Sequence, residues 1–206
     1  MLAPDWSQGA LYLIDKEPRL APLVKRYGQC TLKPEAEENY FAILVRGIIS
    51  QQLPPEVANN IYLKIQQKIG SITPKNLLEA KVEVLLGLGL MTQKIAYLHN
   101  FSRMVLKGSI TPENFFQLSD TAISKQLLQV KGLGQWTIDM FLLLALCRTD
   151  ILPTADHAFV KALQALLQLP QTPKRKTIKE LTASWSPWRS LAVWYLWQYY
   201  GELRAG

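Results

Sequence analysis

The chain has 206 residues, of which 49% are hydrophobic and 19% charged, and a chain of this size buries roughly 70% of its unfolded surface, which excludes a disordered chain and leaves one large or two small domains. Its formal net charge of +7 and pI near 9.4 exclude a strongly acidic surface and favour a polyanionic partner, without choosing between nucleic acid and a membrane surface.

The N-terminus, Met1-Leu2-Ala3-Pro4-Asp5-Trp6, lacks the basic region and apolar core of a secretory signal, and no run of 18 or more apolar residues follows. No membrane partner is expected, and the expected compartment is the cytoplasm. Residues 5 to 27 predict one or two short helices, broken or opened by Pro18 and Pro22. Cys30 and Cys147 are too few for a disulfide framework, and Cys147 sits in an apolar helical pattern that predicts a core position. Residues 39 to 50 carry Phe41, Ile43, Leu44, Val45, Ile48 and Ile49, a helix buried nearly all round. The segment Ser50-Gln51-Gln52-Leu53-Pro54-Pro55 turns into a helix over about 55 to 69.

Residues 75 to 91 predict two short helical pieces ending at Gly87-Leu88-Gly89-Leu90, and Thr92 to Leu106 predicts an amphipathic helix with Lys94, Arg103 and Lys107 solvated or phosphate-facing. His99 on that helix has no second His or Cys at ligand spacing, so no metal enzyme is indicated. The pairs Thr73-Pro74, Thr111-Pro112, Thr172-Pro173 and Ser186-Pro187 each read as a helix start, a capping hydroxyl followed by a proline that has no N–H to lose. Alternating strand patterns are absent, so the chain is expected to be all-α, with about ten helices.

Residues 119 to 130 and Gln135 to Cys147 predict two helices joined by Lys131-Gly132-Leu133-Gly134. Two glycines one residue apart make a tight hairpin, and the amides opening its second helix form a small anion site. The bland alternative is a helix cap and turn. Further on, Ile151-Leu152-Pro153-Thr154-Ala155-Asp156 leads into another helix, where Thr154 or Asp156 suits a cap. The last segment holds Trp185, Trp188, Trp194, Tyr195, Trp197, Tyr199 and Tyr200, mostly at core-packing spacing.

Four blocks in order, Leu44 to Leu53, Gly89 to Lys94, Lys131 to Thr137 with Leu152 to Asp156, and Trp185 to Ser190, resemble the helix-hairpin-helix DNA glycosylase superfamily, nearest to its 3-methyladenine DNA glycosylase II branch in a short form without the N-terminal sheet domain. The resemblance implies one glycosylase unit over 1–206: a central helical lobe at about 36–150, the N-terminal helices plus 151–206 as a second lobe, and a cleft carrying the hairpin. It implies Asp156 as the catalytic residue, about twenty residues after the hairpin. It implies DNA contacts at Gly132, Leu133, Gly134, Gln135 and Thr137, with Gln52 or Leu53 filling the gap left by an everted nucleotide. Trp136, Trp197 and Met140 are the implied base pocket, Met140 replacing an aromatic. Bifunctional relatives carry a lysine where Trp136 stands, and many endonuclease III-like relatives carry a four-cysteine cluster that this chain cannot supply. A monovalent cation on the hairpin carbonyls is also implied, with no other cofactor.

The expected function is hydrolytic release of alkylated purines, such as 3-methyladenine and 7-methylguanine, from double-stranded DNA by base flipping, leaving an abasic site. The carboxylate stabilises an oxocarbenium-like sugar or orients water, and indoles attract a cationic base by contacts worth about 0.5–2 kcal/mol. The expected protein is a monomer acting at the bacterial nucleoid. Two alternatives stay open: a non-catalytic hairpin DNA-binding protein, and a glycosylase for oxidised, deaminated or mismatched bases.

Overall fold

The computed structural model describes residues 3–204; Met1 and Leu2 of the N-terminus read above, and Ala205 and Gly206 at the end of the expected unit, lie outside the described residues. Among the described residues there are twelve α-helices, short 3₁₀ turns and no strand. The excess over about ten comes from short helices that carry too few apolar positions to show a period. The chain divides into two compact units, one of residues 35–141 and one of residues 3–34 with 142–204. The second boundary falls nearer the hairpin than residue 150, in keeping with the Arg148 amide bonding back to the Leu142 carbonyl and closing 142–148 into one local structure.

The discontinuous unit begins with α1 (Trp6–Lys16), capped by the Asp5 carboxylate on the Ser7 and Gln8 amides, and α2 (Ala21–Tyr27), with a 3₁₀ turn at Pro18–Leu20 between them. The expected break at Pro18 is there. The other unit opens with α3 (Tyr40–Ser50), whose Tyr40, Phe41, Leu44, Val45, Ile48 and Ile49 are all buried, as its unbroken apolar pattern requires. It continues with α4 (Pro55–Ile69), α5 (Pro74–Glu79), α6 (Val82–Gly87) and α7 (Thr92–Leu106). Phe41 of α3 stacks on Phe101 of α7 at 4.9 Å, which fixes α7 beside α3. A 3₁₀ turn at Pro112–Gln117 leads to α8 (Asp120–Leu127) and α9 (Gln135–Met140).

The second hairpin helix is shorter than its expected span to Cys147, because Phe141–Ala145 forms a π-helical turn. Six of the seven residues from Phe141 to Cys147 are buried, more than one face of a regular α-helix offers, and the wider turn serves that demand. The discontinuous unit then resumes with α10 (His157–Leu166), α11 (Arg175–Leu181) and α12 (Arg189–Leu203). Every residue of α12 from Ser190 to Leu196 is buried, and α10 packs along it.

The hydroxyl–proline pairs divide. Thr73 caps α5 through the Asn76 amide, whereas Thr111 opens a 3₁₀ turn without capping it. At Thr172-Pro173 and Ser186-Pro187 the helices start two residues past the proline, at Arg175 and Arg189, the latter after a cis Ser186–Pro187 bond. Both cysteines are buried.

Candidate DNA-processing site

The hairpin lies in the 35–141 unit. The chain leaves α8 through two tight turns, Val130 N–H to Leu127 carbonyl and Leu133 N–H to Val130 carbonyl, both 3.0 Å. Gly132 has φ +94°, and a Cβ there would stand 2.3 Å from the ring of Tyr97. The missing side chain at Gly132 is thus required by Tyr97 as much as by any ligand. Around Gly134 the space is open, and it starts α9 with no side chain capping the helix's first amides. Those amides remain the hydrogen-bond donors expected of such a loop.

Two of the residues expected to contact DNA have buried side chains. Leu133 is 5% exposed and Thr137 7%, and the Thr137 methyl fills the space over Gly47 of α3. Their side chains serve packing, so any contact they make to DNA falls to the backbone. Gln135 is exposed and donates to Asp139 at 2.7 Å. Burial pushes the Asp139 carboxyl above its usual range, against the smaller pull of the Gln135 amide. Trp136 is 45% exposed, and Met140, one turn further on the same helix, is half-buried.

The turn after α3 lies in the same unit. Gln52 has φ +57°, a left-handed conformation uncommon for a side-chain-bearing residue, and is exposed, while Leu53 is half-buried. Two groups hold this turn. The Gln51 side-chain amide donates to the Gly132 carbonyl, joining the turn to the hairpin. Lys94 donates to the carbonyls of Ile49 and Gln51. This corrects the expectation that Lys94 is solvated or phosphate-facing: it is 5% exposed, and burial lowers its pKa. The sequence carries a signal for this, since Lys94 shares the stripe of Ile95, Leu98 and Phe101 at three- and four-residue spacing.

Asp156 and Trp197 lie together in the discontinuous unit. Asp156 is 8% exposed and caps α10, its Oδ1 accepting from the Phe159 amide at 2.8 Å. The same oxygen accepts from the indole Nε1 of Trp197 at 2.9 Å. The cap role and the contact with Trp197 therefore coexist on one carboxylate. Beyond the stacking wall that the family pattern implies, Trp197 supplies an orienting N–H, which no sequence pattern reveals. The segment leading to Asp156 is held by the first turn of α12. Arg189 forks onto Asp150 at 2.6 and 2.8 Å, Ser186 donates to Asp150 at 2.8 Å, and the Ile151 amide donates to the Ser190 hydroxyl at 2.9 Å. Asp150 escapes a reading of the sequence, because an isolated aspartate in a loop has no periodicity to betray a partner 39 residues away.

Among the described residues no group of three or more His, Cys, Asp or Glu is placed to hold a metal ion, and no helix is long and apolar enough to cross a membrane.

The sequence matches the HhH-GPD superfamily base excision DNA repair protein model over residues 45–187. It is 29% identical to the alkylbase DNA glycosidase-like protein mag2 of Schizosaccharomyces pombe, over 94% of this chain and 93% of that protein. It is 30% identical to DNA-3-methyladenine glycosylase 1 of the same yeast, over 87% of this chain and 80% of the relative. The solved structure of the S. pombe 3-methyladenine DNA glycosylase Mag1 in complex with abasic DNA matches with a TM-score of 0.81 at 27% identity, covering 93% of this chain and 95% of that one. With the matched span taking in both the hairpin and Asp156, the chain belongs to the HhH-GPD superfamily of base excision DNA repair proteins.

Proposed function

We propose that this protein is a base excision repair glycosylase that hydrolyses the N-glycosidic bond of alkylated purines in double-stranded DNA and leaves an abasic site. The observation that carries the reading is the Asp156 carboxylate, held on one oxygen by the α10 amide of Phe159 and the Trp197 indole, in a chain whose relatives are named for 3-methyladenine and alkylated-base excision. A binding module has no need of a carboxylate oriented in this way.

Breaking the bond leaves an oxocarbenium-like sugar, and a fixed carboxylate stabilises it without reorganising during the reaction. Asp156 takes that role and orients the attacking water; Trp197 is its positioning partner. An alkylated purine carries positive charge, so it leaves readily and is drawn to an indole face. Trp136, exposed on α9, offers such a face, with Met140 beside it. Indole has no amine to form a Schiff base, so the reaction ends at base release without strand cleavage. The exposed, left-handed Gln52 is the residue assigned to fill the vacated base step, with Leu53 supporting it. Backbone amides at Gly134 and Gln135 are assigned to a phosphate. The hairpin carbonyls are the oxygen donors that a monovalent cation takes, and carbonyls already accepting one bond, as at Val130 and Gly132, keep a second lone pair. The protein is proposed to act as a monomer.

The test is base release from methylated duplex, with abasic sites revealed by alkali, for the parent, Asp156→Asn and Trp197→Phe. Asp156→Asn is expected to lose at least about a hundredfold in single-turnover rate with duplex affinity retained, and Trp197→Phe about tenfold. Nicking before alkali would overturn the monofunctional assignment, and binding without release from any damaged base would favour a non-catalytic DNA-binding protein.

A further inference from the structure

We propose that Lys94 and Gln51 are positioning residues that lock the Gln51–Leu53 turn to the hairpin, so that Gln52 enters the duplex as a rigid wedge; the proposal rests on the glycosylase reading above. Lys94 holds the Gln51 carbonyl at 2.6 Å, and the Gln51 side chain holds the Gly132 carbonyl. Three residues beyond Lys94 on the same helix, Tyr97 fills the space beneath Gly132, its hydroxyl accepting from Gln93 at 2.6 Å. One helix, α7, therefore braces both the turn and the hairpin, and Gln51 ties the two together.

Two local costs support this role. A buried ammonium is unfavourable, and among the described residues Lys94 has no carboxylate within ion-pair distance; its partners are carbonyls at the end of α3, whose dipole favours a cation. A helix end needs only water to satisfy it, and core packing needs only a methionine or leucine, so the lysine's specific contribution is the geometry of the turn. Likewise a glycine would take the left-handed backbone at position 52 with less strain than glutamine. A glutamine at an exposed tip retains a side chain for use outside the protein.

A wedge that is already ordered loses little entropy when it inserts, and its stacking in the vacated step offsets the cost of unstacking. Loosening it should therefore slow base eversion and spare bond cleavage. This separates a positioning role from general damage to the fold.

The experiment uses the full chain and Gln51→Leu, Lys94→Met and Lys94→Arg, with folding checked by circular dichroism melting. Single-turnover base release is measured on 7-methylguanine paired with cytosine and on the same lesion opposite an abasic-site analogue, where no partner base must be given up. A 2-aminopurine beside the lesion reports unstacking. Gln51→Leu and Lys94→Met are expected to lose about tenfold or more on the paired substrate and less than about threefold on the unpaired one. The 2-aminopurine rise should fall in parallel, and Lys94→Arg should restore most of it. Equal loss on both substrates, loss on neither, or an unchanged 2-aminopurine signal would overturn the proposal; if Lys94→Met does not fold, Gln51→Leu and Lys94→Arg decide. Should the parent release no base at all, the glycosylase reading fails, while 2-aminopurine unstacking on duplex binding still decides the role of the lock.

Discussion

Asp139, within α9, and Asp156, the cap of α10, show how one residue type is put to two uses. Asp156 is satisfied by an amide and an indole N–H, an arrangement that fixes the direction of a carboxylate. Asp139 is half-buried beside the amide of Gln135, and its pKa is raised above the ordinary 3.8, mainly by burial. The folded protein thus holds the Asp139 proton more tightly than the unfolded chain does. Its contribution to stability is fully present below the unfolded value and is lost as pH rises through the raised folded value. Asp139→Asn keeps an acceptor for Gln135 and removes the partly desolvated charge, so it should raise the neutral-pH melting temperature by about 2–4 °C. The gain should shrink in acid and vanish below about pH 3, well under the unfolded value, where the parent carboxyl is protonated in both states. Calorimetry across that range checks it; an unchanged difference at both ends would show that Asp139 does not titrate as its burial implies.

Helix α12 positions the approach to Asp156 by its first turn and Asp156 itself by Trp197, so one element holds this carboxylate at two points. Burial pushes the Asp150 carboxyl up, but the Arg189 fork and the Ser186 hydroxyl outweigh it and hold the group below its usual range. Arg189→Met leaves that carboxylate with the Ser186 hydroxyl and the backbone amide of position 189, and should cost about 2 kcal/mol, below the figure for a fully buried pair because both partners are part-exposed. Since the Asp150 pKa is depressed, the stabilisation is present above the unfolded value near 3.8 and is lost as pH falls through the folded one. Denaturant midpoints of parent and variant should therefore converge in acid. A gap that does not narrow at all as pH falls below 3.8 would assign the destabilisation to packing of the arginine stem instead.

The positive charge is unevenly shared. Residues 35–141, which carry the hairpin, have a net charge of +1, and the remaining residues carry +6 of the total of +7. Much of it lies in the exposed run Lys174, Arg175, Lys176 and Lys179, where only Lys176 has a carboxylate, Glu180 at 4.0 Å, within ion-pair distance among the described residues. Cations opening a short helix oppose its dipole, and Arg175 with Lys179 repel at one-turn spacing, so Lys174 and Arg175 do nothing for the stability of α11. Replacing Lys174, Arg175 and Lys176 by glutamine should weaken binding to undamaged duplex and flatten its salt dependence by about one unit of logarithmic slope for each phosphate no longer neutralised. Anisotropy titrations over a salt series measure this. An unchanged slope would return the electrostatic attraction to the hairpin unit.

Periodicity and punctuation in the sequence determined the all-α class, the spans of α3, α4 and α7 and the hairpin, because apolar spacing and glycine or proline geometry act between near neighbours; the family came from the resemblance of four ordered blocks. The ends of the hairpin helices escaped it: α8 closes in tight turns after Leu127, and α9 passes into a π-helical turn at Phe141, as the burial of consecutive apolar residues demands. At the candidate site, Asp156, Trp136 and Gln52 were singled out from their positions in blocks that resemble the family. Only the tertiary structure decided that Trp197 donates to Asp156, that the side chains of Leu133 and Thr137 serve packing, that Tyr97 itself requires the glycine at Gly132, and that Lys94 and Gln51 hydrogen-bond across the turn. The hydrogen bonds of Trp197, Lys94 and Gln51 join residues 41, 43 and 81 positions apart. Such contacts, and the burial around them, exist only once distant segments have packed, and no local pattern encodes them.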